Sequence, residues 1–467
     1  MDIYKDILNK TNDISDLITK EIKVNNNIIN IILIETICNS EIINNYLLRT
    51  MDELEKEDNI LEYFLNNIPS INIKKVKFDD VITLLLNGFT IIILNNKDIL
   101  AIETINKLTR GITESNYEKT ITGPKDSFIE QFNTNVGLIR KRIKSNHLKL
   151  DTLNIGKYTD TKIGIMYIDD ICNLDLKNKI IKELNKINID GIIDSSYLKK
   201  YLNKSNSLFP TIKDSERPDL VSKELLEGKI IIVTDNSPNI LILPTFFIDY
   251  FHYIDDYYQK RINITFIRII RLISFIIAIF IPSYYIAITT YNVDFIPINL
   301  LVNFISQRLT VPFPAFVESF IMIISFEILR ESDIRIPSNM GSSVSILGGL
   351  VLGEAAVNAG ILSPMMIIVV AISAISALLF QNIEVVNAIR SYRFLLIILA
   401  TIFGLFGIFM GFLLIIINLS DTKSFDKDYL YPFSPINLNE QKDGFIRLKK
   451  KPLTRNPILS KNRIRGA

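Results

Sequence analysis

Residues 312–363 read PFPAFVESFIMIISFEILRESDIRIPSNMGSSVSILGGLVLGEAAVNAGILS. The stretch is too apolar for a pair of helices in a water-soluble protein, yet Glu318, Glu327, Arg330, Glu331 and Glu354 lie in or beside its apolar runs. An ionisable side chain at the bilayer centre costs roughly 2.5–3.5 kcal/mol by insertion measurements, so such groups are expected to face protein or water and not lipid. Apolar text with embedded carboxylates therefore marks this stretch as the working part of a membrane domain.

The 467 residues divide unevenly. Before about residue 262 the apolar runs are short and broken by Lys, Asp and Asn; after it come runs of about 18 or more residues with few charges, long enough to cross a hydrocarbon core. The expected fold class is a multidomain membrane protein, an N-terminal soluble α/β region followed by an all-α transmembrane domain. A net charge of +2 argues against a nucleic-acid binder that relies on a basic face. The last stretch, 421–467, differs: 11 Lys or Arg stand against 5 Asp or Glu, the mark of a cytoplasmic tail. Cys38 and Cys172 have no CxxC spacing and no His pair nearby, so they read as buried small side chains, with neither a disulfide framework nor a metal site. The opening MDIYKDILNK lacks an apolar signal core, which keeps the first domain in the cytoplasm in this reading.

The soluble region repeats itself. After a polar helical leader (1–24), the run IINIILIETICN ends at Asn39 and leads into a helix, and KIGIMYIDDICN ends at Asn173 and does the same. Downstream, FDDVITLLLNGFTIIILNN (78–96) parallels RPDLVSKELLEGKIIIVTD (217–235), each an amphipathic helix stopped at a glycine, Gly88 or Gly228, before a β-branched strand. Two related α/β subdomains follow, at 25–109 and 149–245. Between them (110–148) a helix from about Asp126 to Ser145 carries Phe128, Phe132, Leu138 and Ile139 on one side, and Arg140, Lys141, Arg142 and Lys144 in its last turns. It reads either as a solvated connector or as a surface for a partner or anionic lipid. Gly123-Pro124-Lys125 lacks the spacing of a phosphate loop, and His147 and His252 are isolated.

The aromatic segment 246–265 is expected to lie along the membrane surface. The transmembrane domain (266–420) then offers four crossings, near 266–291, 343–361, 365–380 and 394–419. Arg268 and Arg271 snorkel toward the cytoplasm and Pro282 sits within the first crossing. Four crossings return the basic tail to the side of the first domain, so the pieces within 297–335 are placed as re-entrant or interfacial. Ser345, Gly349, Gly353 and Gly360 recur at close to helical spacing as a packing stripe, as do Gly404, Gly407 and Gly411. Glu318, Glu327, Glu354 and Asn358 are the candidates for an ion path or gate, against the plainer alternative of buried hydrogen-bonded groups. No nucleophile–base constellation, metal cluster or cofactor fingerprint stands out, so no catalytic residue, metal or cofactor is assigned and the chain reads as a non-enzyme.

The blocks GPKDSFIEQFNTNVGLIRKRIKS, ILILPTFFIDYFHYIDDYYQKR, VPFPAFVESFIMIISFEILRESDIRIP and GSSVSILGGLVLGEAAVNAGILSP, in that order over about 25–450, resemble the GerA family, the A subunits of bacterial spore germinant receptors. That resemblance implies a subunit of the spore inner membrane, partnered with a transporter-like B subunit and a lipoprotein C subunit. It also implies oligomers that couple nutrient sensing to ion release, with a cytoplasmic N-terminal domain in two parts. Competing readings are a secondary transporter, with a broken helix near Pro312, a structural scaffold, or the related accessory protein of the dipicolinate-release operon.

Overall fold

Isoleucine dominates the inner strands of the first sheet because helices cover both of its faces there. The computed structural model describes residues 3–11, 14–24, 27–45, 60–68, 70, 72–105, 118, 122–335, 353–437, 441, 443–447 and 459. The chain divides into a sheet unit (1–204, 212–245 and 450–467) and a helical unit (205–211 and 246–449).

The sheet unit begins with α1 (Ile3–Thr11), β1 (Leu17–Val24), β2 (Asn27–Ile34), α2 (Ser40–Ile43), α3 (Ile60–Asn67), β3 (Ile73–Lys75), α4 (Val81–Leu86), β4 (Phe89–Leu94) and β5 (Asp98–Glu103). It continues with α5 (Phe132–Arg142), β6 (Leu148–Ile155), β7 (Thr161–Ile168), α6 (Leu174–Asn185), α7 (Ser195–Leu202), β8 (Lys213–Ser215), α8 (Pro218–Leu226), β9 (Ile230–Thr234) and β10 (Ile240–Leu243). The first sheet has the order β1-β2-β4-β5-β3 and the second β6-β7-β9-β10-β8, the same path taken twice, with every neighbouring pair antiparallel. Alternation along β2 and β4 sends Ile29, Ile31, Ile92 and Leu94 to the face covered by α3, and Ile32, Ile34, Ile91 and Ile93 to the face covered by α1 and α4.

Local chemistry sets the repeated junctions. Asn39 Oδ1 accepts from the amides of Glu41 and Ile42, and Asn173 Oδ1 from those of Asp175 and Leu176, so both asparagines cap the helix that follows a strand. Gly88 and Gly228 take φ +84° and +98°, the left-handed turn that ends each helix before its strand.

This arrangement corrects two expectations. The segment 1–24 is not a helical leader: after α1 the chain forms β1, an edge strand paired along its length with β2. The 126–145 helix is the shorter α5 and is no free connector, because Phe128, Phe132, Leu138 and Ile139 are all buried in the core of the second sheet with Val221 and Leu225 of α8.

The helical unit holds α9 (Arg261–Thr290), α10 (Ile298–Arg308), α11 (Ala315–Arg335), α12 (Pro364–Ala377) and α13 (Ile383–Asp421), with a helical turn at 353–358. Stretches α9 and α13 are long and apolar enough to cross a membrane by length and composition. Within α13, Gly404 has φ 60° and ψ −139°, outside any helix, and the chain turns back there. Tyr392 and Asn418 would stand about 39 Å apart in a straight helix, yet Tyr392 Oη lies 2.9 Å from Asn418 Oδ1. The single crossing expected at 394–419 is therefore a hairpin of two antiparallel limbs. Gly407 and Gly411 line its seam, where an added Cβ would overlap the Leu399 carbonyl and the Leu396 side chain.

Helix α11 runs for 21 residues, with its start beside Tyr285 of α9 and its middle beside Arg393 of α13. The aromatic segment is buried in its first part, where Phe246, Phe247, Tyr250 and Phe251 are enclosed and Phe247 and Phe251 pack against Phe275 of α9, and exposed at Tyr258 and Ile262. Arg268 and Arg271 do not snorkel to water. They are buried against Asp256, and Arg268 also reaches Asp443 at 3.0 Å, which fastens the tail to the beginning of α9. Most of the span expected at 343–361 lies outside the described residues.

Candidate functional site

The sequence-predicted charges of the helical unit fall into three settings. Glu318 lies in the first turn of α11 and is fully buried. Its Oε2 accepts from the Ser363 amide at 2.9 Å and from Ser363 Oγ at 2.7 Å, while Oε1 stands 3.8 Å from Arg308 Nε. Ser363 is the residue that begins α12, so one carboxylate serves the N-terminal ends of two helices, where the backbone dipole favours negative charge. Arg308 also lines a pocket of about 330 Å³ with Thr289, Phe304, Val311 and Phe313.

Glu327, three turns along α11, meets arginines from two helices. Arg330 Nη2 lies 2.8 Å from Oε2, Arg393 Nη2 3.3 Å from Oε1 and Arg390 Nη1 3.5 Å from Oε2. Arg393 is 2 % exposed, and its other terminal nitrogen donates to Ser373 Oγ, which donates in turn to the Ala278 carbonyl of α9. Sequence reading singled out Glu327 and passed over Arg390 and Arg393. Their signal was present, two arginines one helical turn apart at the head of a long apolar run.

Glu354 and Asn358 share a face of the 353–358 turn and both are exposed. Gly353 beside them has open space where a side chain would be, while a Cβ on Gly360 would meet the Thr310 carbonyl at 3.2 Å. Among the described residues Glu354 has no ion pair. Ser345 and Gly349, the other members of the expected packing stripe, lie outside the described residues.

In the sheet unit, the basic cluster expected to meet a partner or lipid is mostly committed elsewhere. Arg140 is 1 % exposed and grips Asp16 with two nitrogens, Nε at 2.8 Å from Oδ2 and Nη2 on Oδ1. The remaining valences are filled by Thr36 Oγ1, 2.6 Å from Asp16 Oδ2, and by the Leu148 carbonyl, 3.3 Å from Arg140 Nη1. Arg142 is forked onto Asp126 and Lys144 reaches Asn87, which leaves Lys141 as the exposed member without such a bond among the described residues. Arg140 therefore joins the two sheets and is no part of an exposed surface.

Burial pushes the Cys172 thiol up to about 12 and raises that of Cys38, so neither is a ready nucleophile. His147, Asp169 and Asp170 bring ligand atoms within 4.8 Å of one another, a grouping invisible in the sequence. Lys149 Nζ, 4.0 Å from Asp169, already supplies positive charge there.

The family model described as Bacillus/Clostridium GerA spore germination protein matches residues 5–459. This chain belongs to the GerA family. It is 34% identical over 443 residues to spore germination protein KA of Bacillus subtilis (strain 168), covering 93% of this chain and 81% of that one. It is 34% identical over 415 residues to spore germination protein GerQA of Bacillus cereus, covering 88% and 83%. Among solved structures it is similar to the N-terminal domain of the A subunit of the Bacillus megaterium spore germinant receptor GerK3, at 29% identity and a TM-score of 0.41, over 52% of this chain and 94% of that one. This GerA chain thus has spore germination proteins as relatives along most of its length.

Proposed function

We propose that this GerA chain is the A subunit of a spore germinant receptor, held in the spore inner membrane by its helical unit and coupling nutrient sensing to ion release. Copies of the chain enclose a hydrated path, and a transporter-like B subunit and a lipoprotein C subunit complete the receptor. The observation that carries the reading is the exposure of Glu354 and Asn358 on one face of a helical turn, whereas Glu318 is tied to Ser363 and Glu327 to arginines. A carboxylate with no ion pair among the described residues, set among apolar helices, needs water or a second subunit around it. In this assignment Glu354 and Asn358 line the path, and Glu318 and Glu327 hold the helices that flank it.

The test is nutrient-triggered cation release from spores carrying Glu354→Gln or Glu354→Ala at normal protein level. Release should slow or lose its ion preference. Unchanged release from both variants would remove Glu354 from the path and favour a scaffold role for the chain.

A further inference from the structure

The arginines around Glu327 outnumber their counterions. Arg330, Arg390 and Arg393 converge on one carboxylate, and the charges acting on Arg393 are that carboxylate and the two other guanidiniums. Among the described side chains, three positive groups on one negative group leave an excess of two charges between helices α11 and α13. Hydrogen bonding is incomplete in the same place: among the described residues the buried Arg393 Nε and Arg330 Nε have no acceptor. Arg393 is 2 % exposed, so its free N–H is not turned to bulk solvent. Buried donors normally find partners, and an unpaired one calls for an unseen group. A water molecule would satisfy the N–H groups but would leave the charge unbalanced; an anion satisfies both. Arg390, whose side chain is 37 % exposed, leaves the cluster open on one side.

We infer that Arg330, Arg390 and Arg393, with Glu327 as their spacer, form a binding site for a phosphate-type oxyanion inside the helical unit. Guanidinium groups present paired N–H donors in a plane, which matches the oxygens of phosphate better than it matches a spherical halide. Arg393 lies ten residues into α13, about 15 Å from its start, a depth that suits a small free anion more than a lipid headgroup. The site needs only the three arginines and does not depend on the ion-path assignment of Glu354.

The test uses the full-length protein purified in a neutral detergent. Its thermal unfolding is followed against inorganic phosphate, with chloride at equal ionic strength as control, and then in vesicles of phosphatidylcholine with and without phosphatidylglycerol. Phosphate should raise the melting temperature saturably. Arg390→Gln, at the partly exposed edge where folding is least at risk, should weaken that response by roughly tenfold or more, the loss expected of one charge-assisted hydrogen bond. Arg393→Lys, which keeps the charge and loses the fork, should weaken it too, while Arg335→Gln should leave it unchanged. If phosphate has no effect in detergent but phosphatidylglycerol stabilises in an Arg390-dependent way, the same site takes a headgroup phosphate. A response to neither, or one that survives both Arg390→Gln and Arg393→Lys, overturns the site.

Discussion

Arg140 in the sheet unit and Arg393 in the helical unit are almost equally buried, at 1 % and 2 % exposed, but their surroundings treat the charge in opposite ways. Arg140 meets Asp16 one to one, with Thr36 and the Leu148 carbonyl completing the shell. Arg393 shares Glu327 with two other arginines and keeps an Nε without an acceptor among the described residues. The first arrangement is closed and does structural work, joining two sheets. The second is left open to something outside the chain. Burial by itself therefore does not mark a functional arginine; the count of partners does.

The largest effect that would break this contrast is at the closed pair. Asp16→Ala leaves Arg140 buried without a counterion and should cost about 3–5 kcal/mol, read by thermal unfolding of the full chain with hydrogen exchange in β6 and β7. Added phosphate should not restore it, because Arg140 is enclosed. A loss below about 1 kcal/mol would mean that the pair is no more than a surface contact.

Glu327→Gln removes the single negative charge among three arginines. It should destabilise the helical unit by about 2–3 kcal/mol, and phosphate should recover most of that loss, which separates it from Asp16→Ala. Recovery equally good with chloride would erase the distinction between the two arginines.

A smaller, pH-dependent effect belongs to the sheet unit. Burial pushes the Glu227 carboxyl up to about 7, with nearby Glu224 acting in the same direction and Lys223 opposing them. Its folded value lies above its unfolded one, so its contribution is fully present below about pH 4.5 and is lost as pH rises through 7. Glu227→Gln should therefore flatten the decline in stability between those limits and gain on the order of 1 kcal/mol at pH 8. An unchanged slope in the variant would exclude Glu227 as its source.

The smallest effect is the control. Arg335 and Glu331 pair on the exposed end of α11, so Arg335→Gln should change stability by less than about 0.5 kcal/mol.

Much of the sheet unit was legible before the structure because its signals are local. The Ile-Cys-Asn junctions, the asparagine caps and the glycine stops each involve residues within a few positions of one another, and they recur at offsets of 134 and 140 residues. The edge strand β1 was missed because its polar, Lys-rich text has no apolar alternation; only pairing with β2 makes it a strand.

In the helical unit the sequence by itself determined apolarity, the positions of the embedded carboxylates and the family, since these depend on residue type along the chain. Tertiary structure decided the rest. Gly404 is one glycine among several until its φ of 60° folds 39 residues into a hairpin, and the packing of α11 beside the first limb brings Arg390 and Arg393 to Glu327 across more than sixty positions. Ion-pair partners are set by distance in space, and one-dimensional spacing carries no record of which helix will lie alongside which.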